Sequence, residues 1–212
     1  MEEPERLERS IGHRAAEVRA TVPDLELSVD VDAGSLVEAA GRLKISTASL
    51  IIAACAAALK DVPRANAAYR DGRFELYSRV NVAVALDGPT ATVAATLLDA
   101  DRRSPAELDA ELSRLRARAR AGELTPPEQA GATFTFIDAG GYGIHRAAPL
   151  ITPPQAAAVA AGAVRPAPVV RDGAVAAGHA LALTLACDHR ILFGAEAGRF
   201  LTGIARRLET AG

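Results

Sequence analysis

Hydrophobic positions along the chain repeat with two periods, and each period predicts a different secondary structure. Over residues 4–21, apolar side chains recur every three or four positions, which predicts an amphipathic helix that Pro23 ends. From Leu25 to Val31, apolar residues alternate one by one with acidic residues and serine, which predicts a strand with one face in water. The chain therefore opens with a helix followed by a strand.

Four further helical patterns and one helical turn follow. Ser46 is placed to cap an alanine-rich helix that is apolar nearly all round, so we expect this helix in the centre of the core. Ser104 and Glu107 form a capping-box pattern with Pro105 at the first helical position. The predicted helices cover residues 34–43, 48–62, 105–121 and about 196–208, with a helical turn at 125–129.

Runs of apolar residues bounded by turn signals predict the remaining strands. Asp87-Gly88 marks a tight turn, and the runs on either side of it are predicted to pair in antiparallel fashion. The runs cover residues 74–88, 90–98, 132–138, 156–164 and 180–188. Because strands outnumber crossover helices, the sequence predicts an α/β (α+β) fold with a mixed or antiparallel sheet flanked by helices, in a single domain over residues 1–212.

Composition narrows the class of protein. Hydrophobic residues make up 50% of the chain and aromatic residues only 4%, so the core is expected to consist of small, closely packed side chains. The formal net charge of -2 and the acidic residues mixed among the arginines of residues 105–121 argue against a nucleic-acid partner. The longest apolar run, Ala48 to Leu59, is too short to span a membrane, and the acidic start does not resemble a signal peptide, so we expect a cytoplasmic protein.

His189 is the first candidate for chemistry, because it stands where a strongly apolar run ends and a loop begins. Its neighbours Asp188 and Arg190 are both charged. One interpretation is a polar strand end that simply leaves the core. The other is a catalytic side chain that a rigid strand holds in an accessible place.

The surroundings of His189 favour the second interpretation, because LTLACDHRILFGAEAGRFL resembles the signature of a known family. That family is the catalytic domain of dihydrolipoamide acyltransferases, the core components of 2-oxoacid dehydrogenase complexes. Its signature reads Leu-Ser-Leu-Ser-x-Asp-His-Arg-x-x-Asp-Gly-Ala and continues into a helix. Further segments are similar in the expected order over nearly the whole chain: ERSIGHRAAEVRATVP, VNVAVAL, the stretch from DADRRSPAEL to TPPE, GATFTFIDAGG and PLITPPQAAA.

The resemblance implies a chloramphenicol-acetyltransferase-like two-layer sandwich that assembles as a homotrimer. It implies an active site in a channel at the subunit interface, which coenzyme A enters from one end and the acyl acceptor from the other. His189 matches the histidine that acts as general base, while Asp188, Arg190 and Gly194 match the structural part of the motif. A neutral imidazole near physiological pH suits that task.

Two site positions depart from the family pattern. Where the family has a hydroxyl that stabilises the oxyanion, this chain has Ile137, followed by Asp138. Loss of one such donor costs about 100- to 1000-fold in rate. Where the family has an aspartate paired with an arginine of the first helix, this chain has Phe193, and the arginine position holds Glu8. Loss of both partners leaves no stranded charge.

These departures leave three interpretations open. The first is an acyltransferase with a rearranged site, in which Thr135, on the same strand face as Ile137, or Tyr142 in the following loop donates to the oxyanion. The other interpretation of Thr135 is an ordinary strand threonine. The second is a different reaction that uses His189 as a base, such as elimination or cyclisation. The third is a non-catalytic homologue that binds a ligand or partner. The substrate-binding set is predicted to be Ile137, Asp138, Tyr142 and Phe193.

Cofactor and partner predictions follow from the resemblance and from what this chain lacks. The four histidines and two cysteines show no metal-ligand spacing, so no metal is expected. Cys187 is interpreted either as a small buried residue or as a thiol nucleophile. We expect acyl-coenzyme A as substrate and a small thiol or alcohol as acceptor. The chain shows no lipoyl or subunit-binding segment, so no covalent lipoyl group is expected, and the polar ending RRLETAG predicts an isolated trimer.

Overall fold

The structure, a computed structural model, describes residues 6–171 and 173–211, and for residues 6–8 it describes the backbone alone. The helices of the described residues are α1 (Arg6–Thr21), α2 (Gly34–Leu43), α3 (Thr47–Asp61), α4 (Pro105–Ala121) and α5 (Gly194–Glu209). Their strands are β1 (Asp24–Asp32), β2 (Ala67–Arg70), β3 (Arg73–Leu76), β4 (Val82–Asp87), β5 (Thr92–Leu97), β6 (Phe134–Asp138), β7 (Ala157–Ala161), β8 (Arg165–Arg171) and β9 (Ala174–Asp188). Residues 4 and 5 of the predicted first helix lie outside the described residues.

Seven strands form one mixed sheet, as the sequence predicted. Six of them run in the order β1-β9-β7-β6-β4-β5, and β8 pairs with the first half of the long strand β9. The pairs β4–β6 and β6–β7 are parallel, and the other pairs are antiparallel. The strands β2 and β3 form a separate hairpin.

One face of the sheet packs against helices and holds the main core. The apolar helix α3 is buried over most of its length, as predicted, and it contacts α4 and α5. Phe134 and Phe136 of β6 point into this core, where Phe134 meets Phe200 of α5 edge to face at 5.9 Å between ring centroids. Because side chains alternate along a strand, Thr135 and Ile137 point to the opposite face.

The opposite face of the sheet carries small side chains under α1 and the segment between β6 and β7. Val18 and Val22, from α1 and its end, pack with Ile151 over Ala186 of β9. A Cβ at Gly162 would overlap the carbonyl of His145, so the backbone approaches the sheet closely there. The small residues Ala186 and Gly162 therefore allow chain segments to approach this face closely.

Asp109 of α4 fixes the start of α3. Its Oδ1 accepts hydrogen bonds from the Ser46 backbone N–H at 2.9 Å, the Ser46 hydroxyl at 2.6 Å and the Ser49 hydroxyl at 2.8 Å. Burial opposes ionisation, yet these hydrogen bonds hold the pKa of Asp109 below its ordinary value. The predicted cap at Ser46 and the predicted capping box at Ser104 and Glu107 are both present.

Several strands differ from the sequence prediction. The run predicted as one strand over 74–88 is divided between β3 and β4, while β2 and β8 were not predicted. Pro166 and Pro168 lie in β8, which pairs on one side only with β9. An edge strand tolerates proline because the missing N–H faces away from its partner. Because proline usually indicates a turn or loop, the sequence pattern did not predict this strand.

Of the helices in the described part of the chain, none is by itself long and apolar enough to cross a membrane. Together, α2 and α3 have the length and composition of a membrane-spanning segment, but the chain bends by 112° between them.

Candidate active site

His189 is the first residue of the turn after β9. Its backbone N–H donates to the carbonyl of Pro23 at 2.9 Å, which fixes the backbone next to the start of β1. The imidazole is exposed to solvent. The structure thus combines a rigid strand end with an accessible ring, as a general base requires.

Asp188 and Arg190, which flank His189, pair with each other. The Asp188 carboxylate is buried, and it accepts hydrogen bonds from Nε and Nη2 of Arg190 at 2.9 and 2.7 Å. The Arg190 guanidinium also lies 4.0 Å from the ring centroid of Tyr69. This geometry gives both residues a structural role and leaves the imidazole of His189 outside their network.

We expect Arg190→Ala to lower the free energy of unfolding by about 2 kcal/mol. The substitution leaves the buried Asp188 carboxylate without its charged partner, and we discount the cost because a third (33%) of the Arg190 side chain is exposed. Urea unfolding followed by circular dichroism measures the change. Arg206→Ala, at an exposed position on α5, is the control, and an equal midpoint for the two variants would contradict the prediction.

Phe193 lies beside His189, where the family resemblance places an aspartate. Its ring meets the imidazole at 5.8 Å between centroids with an interplanar angle of 77°. The guanidinium carbon of Arg64 lies 5.9 Å from the Phe193 ring centroid and 5.0 Å from that of Phe74. The side chain of Glu8, at the position of the family arginine, lies outside the described residues. The aromatic ring of Phe193 thus lies next to the histidine at the position of the family aspartate, and Arg64 contacts the rings of Phe193 and Phe74.

Thr135, the predicted oxyanion donor, has its hydroxyl engaged elsewhere. The hydroxyl donates to Oε1 of Gln155 at 2.6 Å, and the side chain is buried. Gln155 in turn donates to the Ala132 carbonyl at 3.4 Å. The structure therefore favours the interpretation of Thr135 as a strand threonine over the interpretation as a catalytic donor.

Ile137 and His189 lie far apart in one chain. The register places Ile137 opposite Ala160 of β7, and Ala160 opposite Thr184 of β9. His189 lies five residues beyond Thr184, which corresponds to about 16 Å along a strand, and two strand spacings add about 10 Å sideways. A single chain consequently does not bring the predicted oxyanion position to the predicted base.

Asp138 and Tyr142 line a cavity of about 300 Å³ at the end of β6, away from His189. Arg116 of α4 pairs with Asp138 at 3.2 Å, and the Tyr142 hydroxyl donates to Asp87. That hydrogen bond raises the pKa of Tyr142 above its ordinary value. No local motif in the sequence pointed to this cavity or to Arg64.

Cys187 is buried in the core and is not a nucleophile in this structure. Its Sγ lies 3.6 and 3.7 Å from the carbonyls of Leu25 and Leu192, and burial raises the pKa of its thiol to about 12. Although Cys187 and His189 are two residues apart, β9 ends between them, so they do not share a face. In the described part of the chain, no three His, Cys, Asp or Glu side chains cluster as metal ligands would.

Comparison with protein families agrees with the resemblance seen in the sequence. A family model described as 2-oxoacid dehydrogenases acyltransferase (catalytic domain) matches residues 2–212. The dihydrolipoyllysine-residue acetyltransferase components of pyruvate dehydrogenase complexes from Rickettsia bellii and Zymomonas mobilis are 30% and 31% identical over 96% of this chain. The chain spans about half of these relatives, 51% and 48% of their lengths.

Solved structures confirm the fold. A probable dihydrolipoamide acetyltransferase from Listeria monocytogenes, 27% identical, superposes with a TM-score of 0.94 over 100% of this chain and 95% of that one. A truncated catalytic core of the 2-oxoacid dehydrogenase complex from Thermoplasma acidophilum, 26% identical, covers 100% of this chain and 99% of its own, with a TM-score of 0.88. Chloramphenicol acetyltransferase is 12% identical and superposes with a TM-score of 0.60 over 92% of this chain and 94% of its own. This likeness supports the fold alone.

One prediction is wrong in the light of these relatives. We expected no covalent lipoyl group, but the curated relatives are named acetyltransferases of a dihydrolipoyllysine residue, which is a lysine that carries the lipoyl group. The expectation rested on the segments visible in this chain. The covalent carrier and the catalytic fold need not lie in the same stretch of sequence, so these residues could not decide whether a lipoyl group takes part.

Proposed function

Because this chain belongs to the family of 2-oxoacid dehydrogenase acyltransferase catalytic domains, we propose that it transfers an acyl group between coenzyme A and a dihydrolipoyl thiol. His189 serves as the general base. The observation that carries the proposal is the exposed imidazole of His189 at the rigid end of β9, inside an Asp-His-Arg sequence whose other two side chains hold each other.

The imidazole performs two proton transfers in this reaction. It first accepts the proton of the attacking thiol, and the thiolate sulfur bonds to the carbonyl carbon of the thioester. The tetrahedral intermediate then expels the second sulfur as a thiolate, which takes the proton back from the imidazolium. The reaction moves the acyl group and one proton from one sulfur to the other and consumes neither. The same residue therefore serves either direction of transfer.

The site in this proposal lies between copies of the chain. Ile137 and His189 are too far apart within one chain to contact the same reacting carbonyl, so the β6 end of one copy faces His189 of another in a homotrimer. Light scattering at working concentration measures the mass. We expect about three times the 21.9 kDa of one chain. A fully active monomer would contradict the shared site.

An acyl-transfer assay tests the reaction. Acetyl-coenzyme A is mixed with dihydrolipoamide, and the formation of acetyl-dihydrolipoamide is followed by mass spectrometry alongside release of coenzyme A. Formation at a rate far above the protein-free reaction supports the proposal. A panel of small alcohols defines the acceptor class, and transfer to an alcohol but not to dihydrolipoamide would overturn the choice of a dihydrolipoyl thiol.

A second function is a catalytically altered homologue, either one that binds a ligand or partner or one that uses His189 as base in another reaction. One observation favours this function. Ile137 and Phe193 are apolar, and they occupy two positions where the family pattern has polar residues. Saturable binding of coenzyme A by calorimetry without turnover of any acceptor would support this function over the transferase.

Three further points stay predictions. We propose that residues 1–212 act as one catalytic domain, that the protein works in the cytoplasm, and that the site geometry departs from the family pattern at the oxyanion position.

A further inference from the structure

We propose that Phe74, Arg64 and Phe193 form a stack that positions the imidazole of His189, with Arg64 as a positioning residue. The inference rests on the proposed function, because it concerns the orientation of the base in that reaction. Four contacts carry it, and they join the His189 ring to the start of α5 and to the β2–β3 hairpin.

Among the described residues, no carboxylate is hydrogen-bonded to the ring of His189. Both oxygens of the adjacent Asp188 accept hydrogen bonds from Arg190, and in the described part of the chain no hydrogen bond reaches the His189 side chain. Its ring contact is with Phe193, at 5.8 Å and 77°. A general base works only within a narrow range of distances and angles, so its ring must be held in one orientation. Phe193 contacts the ring and therefore restricts its rotation.

Phe193 needs support of its own. It lies at the residue before α5 and is 49% exposed within one chain, so the core of its own chain does not fix its ring. Arg64 supplies that support, because its guanidinium carbon lies over Phe193 at 5.9 Å and over Phe74 at 5.0 Å. A cation over the face of an aromatic ring is attracted to the negative charge of that face. Arg64 thereby links two rings that come from β3 and from the turn before α5.

Glu196 holds the guanidinium in place. Its Oε2 accepts from Nη1 of Arg64 at 3.3 Å, and Glu196 lies in the first turn of α5, three residues after Phe193. Arginine suits this position because its planar group faces rings while it donates in its plane to a carboxylate. A lysine ammonium has no such plane, so Arg64→Lys should support Phe193 less well.

Steady-state kinetics test the stack. We expect Arg64→Gln to lower kcat for acetyl transfer about tenfold while KM for both substrates stays within about twofold, because misplacement of the base affects the chemical step. Arg64→Lys should fall between Arg64→Gln and wild type. Phe193→Tyr, which keeps the ring, should give a higher kcat than Phe193→Leu. Arg206→Gln, at an exposed position on α5, is the matched control and should resemble wild type.

An NMR measurement tests the positioning without reference to activity. In protein labelled at histidine, the Cε1–H signal of His189, assigned by its loss in His189→Ala, should shift in Arg64→Gln but not in Arg206→Gln. If wild type transfers no acyl group, the proposed function fails, and these shifts still decide whether the stack orients the ring. An unmoved signal in Arg64→Gln, or an Arg64→Gln effect confined to KM, would overturn the inference.

Discussion

Replacement of His189 by alanine is expected to lower kcat for acetyl transfer by about 100- to 10,000-fold, the usual contribution of a positioned general base. The imidazole is exposed and forms no hydrogen bond to another side chain in the described part of the chain, so its removal leaves no buried group unpaired. Stability should therefore change little, and the loss of rate should come from the chemistry. Rates from pre-steady-state and steady-state acetyl transfer measure the effect.

His179→Ala is the control for this experiment, because it removes a histidine of β9 that lies away from the turn. The control should keep wild-type kcat. Recovery of activity in His189→Ala by added imidazole would strengthen the assignment of the base. A His189→Ala protein with wild-type kcat would show that another group accepts the proton, and the transferase mechanism given above would be wrong.

Introduction of a hydroxyl at Ile137 is expected to raise kcat about 100-fold. By resemblance this position carries the oxyanion donor, and one such donor is worth about 100- to 1000-fold in rate. Thr135, the nearest hydroxyl on the same face, already donates to Gln155, so the chain has no spare donor on this stretch of β6. Ile137→Ser supplies one at the end of the strand. The half-buried isoleucine contributes apolar burial, so a loss of about 1 kcal/mol in stability should accompany the gain.

Ile137→Ala separates the hydroxyl from the extra space that the smaller side chain creates. If the serine acts as a donor, Ile137→Ser should exceed Ile137→Ala in kcat while both show similar KM. Equal rates for the two variants would show that bulk, and not a missing donor, limits the reaction. A rate below wild type for both would mean that the apolar side chain itself contacts the substrate productively.

The order of helices and strands was predictable because their signals are local. Period-3.6 and period-2 patterns, the caps at Ser46 and Ser104 and the turn at Asp87-Gly88 each lie within a few residues of the element that they specify. The mixed sheet followed from the balance of strands and helices. The strand β8, which contains two prolines, was not predictable in this way. An edge strand of this kind forms because it pairs with its partner β9, and its own composition does not indicate it.

The sequence also determined the family and singled out His189, since a short run of adjacent residues carries both the family signature and the histidine. It did not determine which neighbours that histidine has. The hydrogen bond from Thr135 to Gln155 and the stack of Arg64 on Phe193 join side chains whose contact depends on how separate elements pack. Only the tertiary structure brings them together, because sheet register and helix packing, which no local pattern encodes, set the distances between them.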